Sequence, residues 1–90
     1  MKSIITTNRF DKDVKRMVKR SKDMSKLKEI IYRLTSGLKL DDSHKLHKLT
    51  GNFKGRWECH IEPDWLLIWF TPDKSTIILE RTGTHADLFD

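Results

Sequence analysis

Cysteine is nearly absent from this 90-residue sequence, which contains a single one, Cys59. One thiol cannot form an internal disulfide, so the fold does not depend on covalent cross-links. Long apolar runs are also missing, because no stretch approaches the roughly 20 apolar residues that span a bilayer. The N-terminus lacks the apolar segment of a secretory signal, since it reads MKSIITTNRF. We therefore expect a cytoplasmic protein without a membrane anchor.

Acidic residues are scarce in the first part of the chain. Residues 1–56 hold sixteen Lys and Arg against six Asp and Glu, a net charge of +10, whereas residues 57–90 hold two against seven, a net charge of −5. A surface this basic suits a polyanion. RNA or an acidic protein is a better match than a membrane, because no strongly apolar, Trp-bearing helix face accompanies the charge. A solvated basic face without a partner is the alternative.

The apolar residues, 37% of the chain, fall in periodic clusters that predict a mixed fold. A short strand at residues 3–6 precedes two segments with apolar residues at helical spacing, which predict a helical hairpin. The apolar positions of the two helices are Phe10, Val14, Met17 and Val18, then Leu27, Ile30, Ile31 and Leu34. Turn signals at residues 62–64 and 71–74 separate three further strands, at residues 56–61, 65–70 and 75–81.

The resulting order, β-α-α-β-β-β, predicts a single α+β domain of residues 1–90. Two N-terminal helices should pack on one face of a small, mainly antiparallel sheet, which the first strand joins at its edge or beside the last strand. Residues 65–70 are apolar throughout and predict a central strand buried on both faces. Residues 38–50 show no sustained period and predict an ordered connection. We expect the second face of the sheet to be free for a ligand.

Four histidines are the residues best suited to chemistry, namely His44, His47, His60 and His85. Imidazole has an ordinary pKa of about 6.5, so one histidine can take a proton while another gives one. RNA carries its own nucleophile, the ribose 2′-hydroxyl. Two histidines and a cation can therefore cleave RNA without a metal. For each histidine alone, the plain alternative is a surface or strand-capping residue.

Two other kinds of site use the same region of the sequence. His44 and His47 form an HxxH pattern that Asp64 or Glu62 could complete as a metal site, although the dense positive charge nearby opposes cation binding. Cys59 is a candidate nucleophile, although its place within a strand favours a buried thiol.

The tryptophans raise the question of base stacking. Large aromatic residues in strands are more often core, and Trp69 is assigned to the core on that ground. Trp65 lies beside a turn and is the candidate for stacking on a base.

Two strings make the sequence similar to a known family, GNFKGRWECHIEPDWLLIWF and LERTGTHADLF. They resemble the hallmark region of the YafQ branch of the RelE-like toxins, and the likeness extends to the basic segments KDVKR and KDMSKLK. Members of this family are the toxins of prokaryotic type II toxin–antitoxin systems and cut messenger RNA in the ribosomal A site. The resemblance implies the same small α+β fold and inhibition by a cognate antitoxin. We expect no metal and no cofactor.

The resemblance also implies roles for individual residues. The acid–base cluster consists by this likeness of His47, His60, Asp64 and His85. Substrate binding involves three cations and two aromatic side chains, Lys54, Arg56, Arg81, Trp65 and Phe89. The sequence departs from the family pattern at Trp57, where Arg is usual, with Arg56 one place earlier. A shift of one residue in a strand turns a side chain to the opposite face.

The leading hypothesis is a ribosome-dependent endoribonuclease that an antitoxin holds inactive. RNA binding and metal-free histidine chemistry follow from the residues, whereas the ribosome and the antitoxin follow from the resemblance alone. A non-catalytic RNA- or ribosome-binding module and a metal-dependent nuclease are the two rival hypotheses.

Overall fold

The computed structural model describes residues 1–89, so that only Asp90 of the predicted domain lies outside the described residues. Strands and helices follow in the order β1 Ser3–Thr6, α1 Asn8–Lys19, α2 Met24–Thr35, β2 His47–Lys48, β3 Trp57–Glu62, β4 Trp65–Asp73, β5 Thr76–Gly83 and α3 His85–Phe89. Two 3-10 turns, Asp42–His44 and Gly51–Phe53, lie in the connection between α2 and β3. No helix within these residues is both long and apolar enough to cross a membrane.

The five strands form one sheet in the order β1-β5-β4-β3-β2. β1 pairs in parallel with β5, and the remaining pairs are antiparallel. The predicted α+β fold is therefore confirmed, including the place of the first strand at the edge beside the last one.

Helices α1 and α2 begin and end where the sequence supplies capping groups. The Thr7 hydroxyl accepts a hydrogen bond from the backbone N–H of Phe10 at 3.0 Å, and the Asp23 carboxylate accepts one from Ser25 at 3.0 Å. Gly37, with a φ of 69°, follows the end of α2.

The core lies between the helices and one face of the sheet, which we call the helix face. Its buried residues are Phe10, Met17, Leu27, Ile30, Leu40, Cys59, Ile61, Trp65, Leu67, Trp69, Ile77 and Leu79. Val18, the last apolar position of the predicted α1 stripe, is instead 55% exposed.

The opposite face of the sheet, which we call the histidine face, is covered in part. Leu66 and Ile68 are fully buried there under Leu88 of α3, and Leu49 and Phe53 pack against the same cluster. The expectation of a free second face holds only in part, because β4 is apolar on both sides and its second side is covered by α3 and its neighbours. The predicted burial of β4 on both faces is confirmed.

Three local predictions differ from the structure. β4 continues through Pro72 to Asp73, and the turn follows at residues 74–75. Pro72 is tolerated because it lies beyond the pairing of β3 with β4 and at an irregularity in the pairing of β4 with β5. Strand β2 and helix α3 were not predicted from the sequence.

Candidate active site

The histidine face is built by the two-residue period of strand β3. Within the strand, Glu58 and His60 alternate with Trp57, Cys59 and Ile61, so the first two side chains point to one side of the sheet and the last three to the other. Trp57, Cys59 and Ile61 pack in or against the core. In the pairing of β2 with β3, His47 lies opposite Glu58 and joins the histidine face.

His47, His60, His85 and Asp64 form a continuous line, which we call the histidine row. The ring centroids of His47 and His60 are 6.4 Å apart, and those of His60 and His85 are 5.7 Å apart. At the end of the row, His85 Nδ1 lies 2.6 Å from Asp64 Oδ1. The structure thus brings together all four residues that the family resemblance assigns to the acid–base cluster.

Each histidine of the row holds its Nδ1 against an oxygen. His47 Nδ1 lies 2.7 Å from the carbonyl oxygen of Lys45, and His60 Nδ1 lies 3.2 Å from the carbonyl oxygen of Pro63. A carbonyl oxygen only accepts hydrogen bonds, so Nδ1 carries the proton in both rings. Nε2 is then the nitrogen available to exchange a proton with a substrate.

Asp64 orients His85 by accepting two hydrogen bonds. Its Oδ1 accepts from the backbone N–H of His85 at 2.9 Å as well as from Nδ1. These bonds hold the pKa of Asp64 below its usual range, and the bond from the backbone N–H has the largest effect. The carboxylate is therefore ionised at neutral pH. A carboxylate bonded to Nδ1 leaves Nε2 of the histidine free for proton transfer, as in hydrolase triads.

Glu58 is a residue of the site that the sequence reading missed. It is 4% exposed, and its Oε1 lies 3.2 Å from His47 Nε2 and 3.9 Å from His60 Nε2. Its second oxygen, Oε2, is buried and has no hydrogen-bond partner within residues 1–89. The sequence did contain a signal for Glu58, because a residue two positions before His60 in a strand lies on the same face of the sheet as His60.

Arg56 lies on the histidine face in spite of the departure at Trp57. Its Nε donates to both carboxylate oxygens of Glu80 at 3.1 Å, and its guanidinium lies 5.2 Å from the Phe70 ring centroid. Trp57 packs toward the helix face, so the residue that replaces the usual Arg is outside the histidine row. Lys54 is exposed in the segment that leads into β3.

Two predicted substrate-binding residues are corrected by the structure. Trp65 is fully buried, and its indole N–H donates to Thr82 Oγ1 at 2.9 Å, so it cannot stack on a base. Arg81 is 9% exposed and donates through Nε to Asp13 Oδ2 at 2.7 Å, so it cannot reach a phosphate. Position within the family motif did not reveal that both side chains point into the protein.

Phe89 is available for stacking. The residue is 44% exposed, and its ring lies 6.4 Å from the His85 ring and packs edge-on against Phe53 with centroids 5.4 Å apart. An aromatic surface therefore borders the histidine row on the side of His85.

The remaining candidate groups lie outside the row. His44 directs Nδ1 to the carbonyl oxygen of His60 at 2.7 Å and so supports β3. Burial raises the pKa of the Cys59 thiol to about 12, which leaves it protonated at neutral pH. In the part of the chain that the structure describes, no three His, Cys, Asp or Glu residues are grouped as a metal site requires.

Comparisons with known proteins identify the family of the chain. A family model described as the bacterial toxin of type II toxin–antitoxin systems, YafQ, matches residues 2–90. The chain is 46% identical over 84 residues to the mRNA interferase toxin YafQ of Escherichia coli K12. The aligned residues cover 92% of this chain and 90% of that protein.

Solved structures show the same fold. The crystal structure of the E. coli DinJ–YafQ complex matches with a TM-score of 0.90 at 42% identity, covering 100% of both chains. A metal-bound toxin from Helicobacter pylori matches with a TM-score of 0.91 at 37% identity, covering 99% of this chain and 100% of that one. The resemblance seen in the sequence is confirmed, and the chain belongs to the YafQ family of toxins of bacterial type II toxin–antitoxin systems.

Proposed function

We propose that the histidine row of this toxin cleaves messenger RNA through attack by a ribose 2′-hydroxyl. The chain is an mRNA interferase, an endoribonuclease, as its E. coli relative is. The observation that carries the proposed mechanism is the row itself, in which three imidazoles lie side by side and each has its Nδ1 held by an oxygen, which leaves Nε2 as the nitrogen for proton transfer.

The reaction needs a base and an acid on either side of one phosphate. One imidazole takes the proton of the 2′-hydroxyl, the 2′-oxygen bonds to phosphorus, and the bond from phosphorus to the 5′-oxygen breaks. A second, protonated imidazole gives its proton to that 5′-oxygen. The products are a 2′,3′-cyclic phosphate and a 5′-hydroxyl. Neighbouring rings of the row, with centroids 5.7 Å and 6.4 Å apart, are spaced to flank a phosphate.

Charge and aromatic groups near the row suit the rest of the substrate. Exposed Lys54 offers a positive charge to the phosphate, and exposed Phe89 offers a face to a base. Arg56 can contribute once a phosphate competes with Glu80 for its guanidinium.

We further propose that the substrate is messenger RNA in the ribosomal A site and that a cognate antitoxin inhibits the toxin. The net charge of +10 on residues 1–56 fits binding to ribosomal RNA as well as to an acidic protein. The E. coli relative was crystallised as a complex with DinJ, and an antitoxin of that kind would cover the basic surface here.

The test is cleavage of a defined message by the purified toxin, with and without ribosomes positioned at one codon. We expect cuts only on the ribosome, with 2′,3′-cyclic phosphate ends. Cleavage of free RNA at the same rate would contradict ribosome dependence.

The same assay separates the two rival functions. The metal-bound H. pylori toxin makes a metal-dependent reaction the rival to exclude. A chelator selective for transition metals leaves the Mg²⁺ of the ribosome in place, and it should not slow the reaction. Ribosome binding without any cleavage would instead support the non-catalytic module.

A further inference from the structure

Helix α3 carries His85 and Phe89 but is too short to be stable alone. It contains five residues, His85–Phe89, and isolated helices of fewer than about 12 residues are marginal in water. Its first turn is closed by a capping box, in which Thr84 N–H donates to Asp87 Oδ2 at 2.9 Å and Asp87 N–H donates to Thr84 Oγ1 at 3.1 Å. The position of His85 therefore depends on what holds Asp87 as well as on its bonds to Asp64.

Arg20, the C-cap residue of α1, holds Asp87 from the other side. Arg20 Nη1 and Nη2 donate to the two carboxylate oxygens of Asp87 at 2.6 Å and 3.0 Å, in the forked geometry that a guanidinium and a carboxylate prefer. Arg16 Nη1 lies 3.8 Å from the same carboxylate. We call Asp87, Arg16 and Arg20 the Asp87 network.

The Asp87 carboxylate is enclosed between α1 and the end of β5. Its side chain is only 13% exposed. Gly83 has a φ of 155°, and a Cβ placed there would lie 2.9 Å from Asp87 Oδ2 and 3.0 Å from Asp87 Cβ. Glycine at position 83 thus lets the carboxylate approach the backbone closely, and the contact leaves little room for α3 to shift.

The network continues into the core, which makes α1 a rigid support. Arg16 Nη1 donates to Asp13 Oδ1 at 3.2 Å, and buried Asp13 accepts from Arg81 Nε and from the backbone N–H of Thr82 at 2.7 Å and 3.1 Å. The C-terminal part of α1, the end of β5 and the first turn of α3 are therefore joined by charged hydrogen bonds, together with the Arg16–Asp87 ion pair at 3.8 Å.

We propose that Arg20 is a positioning residue for the cleavage reaction, acting through Asp87 to hold the His85 imidazole in the histidine row. This inference rests on the proposed catalytic role of His85. Neither Arg20 nor Asp87 forms a hydrogen bond with a histidine ring in the described structure, so their effect is on the placement of His85 rather than on proton transfer itself.

A matched pair of variants tests the proposal, Arg20→Gln and Lys19→Gln. Both remove one positive charge from the C-terminal end of α1, where Lys19 is the last helical residue and Arg20 the C-cap, but Lys19 is exposed and takes no part in the Asp87 network. Both should weaken ribosome binding equally and so raise KM alike. Only Arg20→Gln should lower kcat, by about 10- to 100-fold, because a small displacement of a catalytic group is costly.

Two further variants separate positioning from a loss of folding. Arg20→Lys keeps a cation near Asp87 and should restore part of kcat. Asp87→Asn keeps a capping oxygen for Thr84 but loses the charge, so it should lower kcat as Arg20→Gln does. The double variant Arg20→Gln with Asp87→Asn should be no slower than either single one, because both remove the same interaction. Equal kcat for Arg20→Gln and Lys19→Gln would overturn the proposal.

A spectroscopic measurement on the free toxin keeps the proposal independent of the activity. In protein labelled at histidine, the ring resonances of His85 report its bond to Asp64. Arg20→Gln should shift or broaden them while Lys19→Gln leaves them unchanged, and unchanged His85 resonances in Arg20→Gln would refute the positioning role. Loss of cleavage in His85→Ala is measured alongside. If His85→Ala cuts normally, the proposed function fails, while the resonances still decide whether Arg20 positions His85.

Discussion

The two faces of strand β3 differ in what their residues contribute. Trp57, Cys59 and Ile61 pack with the helices on the helix face, whereas Glu58 and His60 face the histidine row. Consecutive residues of β3 therefore have different roles, because the two-residue period places them on opposite faces of the sheet. Substitutions on the helix face should cost stability, and substitutions on the histidine face should cost activity.

The largest effect on the histidine face is expected for His85→Ala. It should slow cleavage on the ribosome by about 10² to 10⁴, the usual contribution of a positioned acid or base, and leave ribosome binding intact. His85 is exposed, so the variant should fold with an unchanged thermal transition. A folded His85→Ala toxin that cuts at the wild-type rate would remove His85 from the catalytic cluster.

The largest effect on the helix face is expected for Trp65→Ala. Trp65 is fully buried and bonded to Thr82, so the truncation should cost about 3–5 kcal/mol of the free energy of unfolding. Chemical denaturation measures it, and Trp65→Phe, which keeps most of the packing, is the control. If Trp65→Ala remained as stable as the wild type but bound RNA more weakly, Trp65 would be a stacking residue after all.

Glu58→Gln sharpens the comparison of the two faces, because the Glu58 side chain is buried like a core residue and yet faces the histidine row. Loss of the charge that faces His47 Nε2 at 3.2 Å should slow cleavage by about tenfold. The free energy of unfolding should rise by about 1 kcal/mol, since a buried carboxylate with an unpartnered oxygen becomes a neutral amide. Lower stability with unchanged cleavage would assign Glu58 to the core instead.

Cys59→Ala should have the smallest effect. The thiol packs on the helix face, and its removal should cost about 1 kcal/mol of stability without abolishing cleavage. Its pKa of about 12 leaves almost no thiolate at pH 8, so alkylation of the folded protein should be slow. Loss of cleavage in a folded Cys59→Ala protein would bring the thiol into the chemistry.

Much of the fold was predictable because it depends on the spacing of apolar residues along the chain. The apolar spacing of α1 and α2 predicted both helices, and the continuous apolar run of β4 predicted its burial. Strand β2 was missed because two residues, His47–Lys48, have no period to detect. Helix α3 was missed although Thr84 and Asp87 stand at capping-box spacing.

The site was predictable in its histidines and less so in its surroundings. His47, His60, Asp64 and His85 come together as the family resemblance implies. Trp65 and Arg81 were misjudged because a motif gives a position along the chain, whereas burial depends on packing with Thr82 and Asp13. Glu58 was overlooked because its importance lies in its distance from His47 in the folded sheet.

The most direct test of the central claim uses the substrate's own nucleophile. A message is prepared with a single 2′-deoxyribose at the nucleotide on the 5′ side of the mapped cut and placed in the ribosomal A site with the toxin. Attack by the 2′-hydroxyl, assisted by the histidine row, predicts that this message stays intact while the all-ribose control is cut to a 2′,3′-cyclic phosphate end. Cleavage of the deoxy message at the control rate would contradict the mechanism.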